Sequence, residues 1–340
     1  MSDKNTLISH LHLQGISRRQ FLKYCAVTAS MLGLAPNQAT VIADTLTGTP
    51  KPTVIWLSFQ ECTGCTESLT RSYDNSIENL ILNYISLDYH HTLQAASGVA
   101  AEQARLQAMA NANGQYVVIV DGSIPLLNGG AVSTIAGQSN LDMLRETVSD
   151  AALVIAVGTC ASFGGLPMAN PNPTQATSVQ SLMQEGQIAN KPLINISGCP
   201  PIPEVISGVV AYYLTYQALP ALDEHNRPQI FYGKTVHDCC SRLTHYNAGE
   251  FAQSFDDVGA RNGYCLYLLG CKGPTTFNSC SSIKWNGSTS YPMHSGHGCL
   301  GCSEPQFWDK GSFYSTLNTG PATGDGSSCS APAIPVLTKI

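Results

Sequence analysis

Cys62 and Cys65 stand two residues apart in "QECTGCTESL", residues 60 to 69, directly after the strand-like run "PTVIWLSF". A disulfide, a zinc site, a redox dithiol and an iron-sulfur cluster all begin with this pattern. The remaining cysteines must decide between them. Cys160 closes "ALVIAVGTC" and Cys199 closes "PLINISGC", so four cysteines follow apolar, β-prone runs. A second set opens with His237 and Cys240, three apart in "TVHDCCSR", and continues with Cys265 and Cys271 in "GYCLYLLGCKGP". A third holds Cys280 in "TFNSCSS" with Cys299 and Cys302 in "GHGCLGCSEP". Thiolate and imidazole are donors suited to zinc and to iron-sulfur clusters.

The elements that must position these donors follow from the apolar pattern. From Lys51 to about Leu222, the runs "PTVIWLSF", "ILNYISLDYH", "QYVVIVDGS", "ALVIAVGTC" and "PLINISGC" alternate with segments of helical length such as "AASGVAAEQARLQAMANA" and "TSVQSLMQEGQ". Nearly continuous apolar strands separated by helices predict an α/β fold, a doubly wound parallel sheet covered on both faces and flavodoxin-like in its five strands. Ligands of such sheets bind beyond the carboxyl ends of the strands. Three strand ends therefore deliver Cys62, Cys65, Cys160 and Cys199 to one edge, where Gly64, Gly158, Gly164, Gly165 and Gly198 with Pro200 and Pro201 let backbone approach a bulky inorganic group. Four thiolates fit a 4Fe-4S cluster or zinc. In the second set His237 replaces one thiolate, and Cys239 competes with Cys240 for the fourth place. Three cysteines in the third set suit a 3Fe-4S cluster, or a 4Fe-4S cluster completed by Cys329 or a non-protein ligand.

After "DEHNRPQIFYGKTVHD" the periodicity fades, and eight of the 13 cysteines lie between Cys239 and Cys329. A segment with so little apolar pattern needs cross-links or metal to fold. Hydrophobic residues make up 43% of the chain and charged ones 12%, which predicts a surface partly covered by a partner. A net charge of -6, with no basic cluster beyond the first 25 residues, argues against nucleic acid. Near the start, "SRRQFLK" precedes the weakly apolar "YCAVTASMLGLA" and the polar "PNQATVIAD". Paired Arg18 and Arg19 before a segment too short to span a bilayer predict a twin-arginine export signal, hence a periplasmic protein. That route carries folded, cofactor-loaded proteins, which weighs against disulfides. Three metal sites in one chain make most sense as an electron wire. The expected division is a signal over 1–43, a flavodoxin-like domain over 44–224 and a C-terminal iron-sulfur domain over 225–340, ending in the extended tail "PAIPVLTKI".

"ECTGCTES", "GTCASFGG", "GCPP", "HDCCSR", "CLYLLGCKGP" and "SGHGCLGCSEPQFWDKGSFY" together closely resemble the small, electron-transferring subunit of nickel-iron hydrogenases, from the export signal to about residue 315. The resemblance implies two 4Fe-4S clusters and one 3Fe-4S cluster. Cys62, Cys65, Cys160 and Cys199 would hold a proximal 4Fe-4S cluster beside a large subunit that carries the nickel-iron centre. His237, Cys240, Cys265 and Cys271 would hold the distal 4Fe-4S cluster, which selects Cys240 over Cys239. Cys280, Cys299 and Cys302 would hold the medial 3Fe-4S cluster, with Pro292 near the place of a fourth ligand. No catalytic residue is expected here, since hydrogen is split on the large subunit. Electrons would leave to a cytochrome c or a membrane partner.

Two departures from the family matter. Oxygen-tolerant members carry two further cysteines around the proximal cluster, where this chain has Gly64 and Gly165, so an oxygen-sensitive enzyme is expected. The hydrophobic C-terminal helix of many membrane-bound relatives is also missing from this sequence. His90, His91, His294 and His297 are expected to be structural rather than proton carriers; Glu61 and Glu67, flanking the first pair, either face the partner subunit or are solvated loop carboxylates, and Lys272 beside Cys271 either tunes or presents the distal cluster or is a surface charge. The competing reading is an exported zinc- or disulfide-stabilised binding protein without redox activity.

Overall fold

The computed structural model describes residues 18–35, 37–48, 51–73, 77, 80 and 85–316. Five strands form its central sheet: β1 (Thr53–Ser58), β2 (Ser86–His90), β3 (Tyr116–Asp121), β4 (Leu153–Val157) and β5 (Leu193–Ile196). All pair in parallel in the order β2-β1-β3-β4-β5, the flavodoxin-like order expected of the five apolar runs. Successive side chains of a strand point to opposite faces, and here both faces are buried. Val54, Trp56, Val117, Ile119, Ile155 and Ile194 enter one apolar cluster, while Ile55, Leu57, Val118, Val120, Val154 and Ala156 enter the other. Neither face meets water, which explains strands that are apolar without alternation. Each such side chain contributes about 1.5–3 kcal/mol through burial.

Helices cover the two faces. On one side lie α4 (Gly98–Ala112), α5 (Asn140–Val148) and α7 (Val179–Gln184), which bury Ala101, Ala108, Met143, Leu144, Val148, Val179 and Leu182. Ser139 and Ser178 cap α5 and α7, each hydroxyl accepting from a backbone amide three residues on. On the other side lies α8 (Pro203–Tyr216), with Val205, Ile206, Val209 and Leu214 facing the sheet. Two short helices, α3 (Gly64–Thr70) and α6 (Gly158–Phe163), start within a few residues of the carboxyl ends of β1 and β4.

The weakly apolar stretch expected to be an export signal is helical. α1 (Arg18–Met31) and α2 (Gln38–Gly48) pack on each other and on α8, with Cys25 and Ile42 fully buried and Tyr216 Oη donating to Gln38 Oε1 at 3.1 Å. The expected boundary at residue 43 falls inside α2 rather than in a loop. Residues 1–17, Cys329 and the expected tail "PAIPVLTKI" lie outside the described residues. No helix among the described residues is long and apolar enough to cross a membrane.

Past β5 and α8 the chain changes character. From Gln229 to Thr316 the described residues form three helices of four or five residues, three 3-10 turns and isolated bridges. Its own apolar cluster is small: Val236, Ala252, Leu266, Tyr291 and Met293, completed by Cys271 and Cys299. Two potential metal ligands thus belong to the core that must hold them.

Candidate metal centres

The first set gathers at the carboxyl edge of the sheet. Thr63, in the left-handed region at φ +64°, turns the chain from β1 into α3, leaving Cys62 exposed and Cys65 buried in the first helical turn. Cys160 sits inside α6 rather than at the tip of β4, because the helix begins directly after Val157. Cys199 follows β5 by three residues. Each thiol lies in the field of others. Burial pushes Cys160 up to about 12, with the charges of Cys199, Asp121 and Cys62 adding to it. Cys65 is raised by burial, then by Asp121, Cys160 and Cys199, and Cys199 by burial, Cys62 and Asp121. Such mutual effects place the four thiols within electrostatic reach of one another at this edge.

Glycine makes room for the sulfurs at two points. At Gly158, φ +86°, an added Cβ would collide with Cys65 Sγ; at Gly165, φ +63°, it would lie 2.5 Å from Cys160 Sγ. Both positions combine a conformation that favours glycine with a close approach of backbone to thiol. At Gly64 an added Cβ would lie 3.1 Å from another ligand candidate, Cys62 Sγ. Asp121, at the end of β3, accepts from the Cys65 thiol, and burial with the charge of Glu61 raises its carboxyl to about 7. Asp121 Oδ2 and Glu61 Oε2 are buried without a hydrogen-bond partner. Glu67 instead pairs with Arg71 at 2.6 Å on the surface.

The second set lines one cavity: His237, Cys240, Cys265 and Cys271 meet there, walled by Val236, Leu266, Pro274 and Met293. Cys239 is not among the lining residues. Burial lowers the His237 pKa, so its imidazole is held neutral, and its Nε2 is buried without a partner. An unsatisfied buried nitrogen with a free lone pair is what a metal ligand presents before its metal. Tyr246 packs edge-on to the ring at 4.5 Å. Toward Cys240 Sγ, the Arg242 amide donates at 3.5 Å and Tyr291 Oη at 3.7 Å. Arg242 is held by the carbonyls of Met293 and Tyr264, at 2.7 and 2.6 Å.

The third set lies between the other two. Burial pushes Cys280 and Cys302 each up to about 12; Cys280 also feels Cys299, and Cys302 feels Cys280 and, across to the first set, Cys199. Cys299 is raised by burial, by Cys271 of the second set and by Cys302. Hydrogen bonds mark the same junctions. Thr159 Oγ1 donates to the Cys302 carbonyl at 2.5 Å, and the Cys299 amide donates to Cys271 Sγ at 3.2 Å. Pro292 is exposed, beside Tyr291.

None of these ten cysteines forms a disulfide. Tetrahedral zinc at 2.3 Å from each sulfur needs donors about 3.8 Å apart. Among the described residues no group of three or more His, Cys, Asp or Glu is gathered so as to hold a single ion. Three gatherings of thiol and imidazole donors fit the donor chemistry of iron-sulfur clusters.

Sequence reasoning missed Asp121 and Thr159. Asp121 closes an apolar strand at the very edge where the cysteines gather, a positional signal present in "YVVIVD". The role of Thr159 depends on a partner 143 residues away, and no local pattern carries that. The histidines are structural: His90 stacks on Trp56, His91 accepts from the Ser58 amide, His294 stacks on Tyr291 and His297 on Phe255.

Comparison with known proteins agrees over both halves. Residues 62–213 match the family model of the NADH ubiquinone oxidoreductase 20 Kd subunit, and residues 232–315 match that of the C-terminal region of the NiFe/NiFeSe hydrogenase small subunit. The chain is 47% identical over 324 residues to the uptake hydrogenase small subunit of Azotobacter vinelandii, covering 95% of this chain and 89% of that protein. It is 44% identical over 337 residues to the hydrogenase-1 small chain of Escherichia coli strain K12, covering 99% and 89%. Among solved structures, the reduced, active Ni-Fe-Se hydrogenase of Desulfomicrobium baculatum superposes with a TM-score of 0.74 at 32% identity, over 79% of this chain and 100% of that one. The sheet order, the cysteines at its carboxyl edge, the irregular cysteine-held second half and these similarities have one common explanation: the chain belongs to the family of nickel-iron hydrogenase small subunits.

Proposed function

We propose that this chain carries electrons from hydrogen oxidation on its large subunit through two 4Fe-4S clusters and one 3Fe-4S cluster to an acceptor outside the complex. Cys62, Cys65, Cys160 and Cys199 hold the proximal cluster, Cys280, Cys299 and Cys302 the medial one, and His237, Cys240, Cys265 and Cys271 the distal one. A bound cluster takes up and gives back one electron at a time, and its potential follows ligand charge, hydrogen bonds to sulfur and exposure. The observation that carries this reading is the pair of hydrogen bonds that join the three sets: Thr159 Oγ1 to the Cys302 carbonyl, and the Cys299 amide to Cys271 Sγ.

The chain's own residues do the rest. Glycine at 158 and 165 admits the proximal sulfurs, and exposed Cys62 offers that end to the large subunit. Thr159 ties the proximal loop to the medial one, and the Cys299 amide ties medial to distal. Burial keeps water from Cys65, Cys265, Cys271 and Cys299. His237, neutral, makes the distal set less negative than four thiolates would. The paired arginines at 18 and 19 support export by the twin-arginine machinery to the periplasm, where a cytochrome c or a membrane partner takes the electrons. Glycine at 64 and 165 supports a standard proximal cluster and an oxygen-sensitive enzyme. The units 44–224 and 225–340 are the two parts that carry the clusters.

Iron and sulfide analysis with EPR of the anaerobically purified heterodimer tests this. Eleven irons, counted as two cubanes and one three-iron cluster, and an oxidised-state 3Fe-4S signal are expected. A colourless, iron-free small subunit overturns it.

A further inference from the structure

Lys272 adjoins Cys271, yet its position is not that of a surface charge: the residue is 5% exposed. Its stem runs beneath the third set's loop, where an added Cβ at Gly301 would touch Lys272 Cδ at 3.4 Å. The Lys272 amide donates to the Cys299 carbonyl at 2.8 Å, and the Cys299 amide returns a bond to Cys271 Sγ at 3.2 Å. The lysine thus stands at the junction of the second and third sets. Its Nζ donates only to backbone carbonyls: Phe313 at 3.1 Å, Ser312 at 3.2 Å, Gly270 at 3.3 Å and Ser315 at 3.4 Å. No carboxylate pairs with it among the described residues. Burying an ammonium without a counter-ion is costly. The residues that adjoin it are ligand candidates on both sides: Cys271 precedes it in the chain, and the Cys299 carbonyl accepts from its amide.

We propose that Lys272 is the counter-charge shared by the medial and distal clusters, raising the reduction potential of both while its ammonium ties residues 312–315 over them. Reduction adds negative charge, and a fixed cation in a low-dielectric interior favours the more negative state. The cation acts on both sets at once, so it moves the two potentials together and leaves the proximal potential in place. The inference rests on the cluster assignment proposed above.

The test is an EPR-monitored redox titration of the assembled heterodimer for wild type, Lys272→Met, Lys272→Arg and Ser312→Asp, with iron counted in each. Ser312→Asp keeps the lysine and brings a carboxylate close to it, so the charge is offset without opening the fold. Lys272→Met and Ser312→Asp are expected to lower the medial and distal potentials, giving a several-fold smaller reduced fraction at a fixed poise. Lys272→Arg should stay near wild type, and the proximal potential should hold in all. If Lys272→Met loses iron, Ser312→Asp decides alone. Unmoved medial and distal signals in Ser312→Asp, or an equal shift of the proximal one, overturn the proposal. Absence of cluster signals from the wild type would overturn the assignment beneath it instead.

Discussion

Thr159 Oγ1 donates to the carbonyl of Cys302 at 2.5 Å and accepts from the amide of Gly198 at 2.9 Å, so one hydroxyl joins the loop of Cys160 and Cys199 to that of Cys302. Thr159→Val keeps the shape and strands both partners in a buried site. The expected loss is about 1–3 kcal/mol, read as a lower denaturation midpoint of the heterodimer. Thr159→Ser should recover most of it; equal loss in both variants would show that the hydroxyl is not the cause.

Gly165→Ala places a Cβ 2.5 Å from Cys160 Sγ at φ +63°, adding steric overlap to backbone strain. Strain of this kind costs about 1–3 kcal/mol. The proximal signal in EPR should weaken or vanish while the medial and distal signals persist. Full iron content in the alanine variant would contradict the packing described.

At His237, thiolate and imidazole can be compared directly. His237→Cys retains four donors with one more negative charge, which lowers the distal potential. His237→Ala removes a donor and leaves Tyr246 facing empty space, so distal iron should be lost. Redox titration separates the two outcomes.

Buried His90 gives the fold an acid weakness. The Thr92 amide donates to its Nδ1 at 3.1 Å, which leaves the ring proton on Nε2, directed at Thr66 Oγ1, 3.4 Å away. A second proton on Nδ1 would break the Thr92 bond. Burial and the neighbouring His91 lower its pKa from 6.5 to about 4. Because the unfolded chain binds this proton more readily, the neutral imidazole's contribution is complete above pH 6.5 and is lost as pH falls toward 4. The full effect is about 3 kcal/mol. Denaturation from pH 7 to 4 should show a shallower slope for His90→Gln than for wild type; identical slopes would rule His90 out as the source.

Removing iron should unfold one half and spare the other. The cluster that packs residues 229–316 counts seven buried side chains, and two are Cys271 and Cys299. The sheet has two large apolar clusters of its own. After chelation, amide exchange should accelerate across 229–316 while β1, β3 and β4 stay protected. Uniform protection would mean that the second half folds on its own contacts.

What can be read from residue order alone follows the same division. Val54 through Leu57 and Leu153 through Val157 announce buried parallel strands because neither face needs polar residues, and a run of that kind has few other uses. The apolar pattern puts Cys160 at a strand tip, whereas it lies in α6, since a helix that opens directly on Gly158 leaves no loop to mark the change. α1 and α2 have the composition of a leader, and nothing local in "YCAVTASMLGLA" tells that Cys25 is buried against the body of the protein. In the second half, donor spacing is legible and conformation is not. Lys272 shows why: its partners Ser312, Phe313 and Ser315 lie 40 to 43 residues away and offer only carbonyls, which every residue type has.

The third cysteine set borders both of the others: the Cys302 carbonyl accepts from Thr159 in the first set's loop, and the Cys299 amide donates to Cys271 Sγ. Links in series share one fate. In the proposed relay, damage at the middle link would silence the whole conductor while both outer links stayed chemically sound.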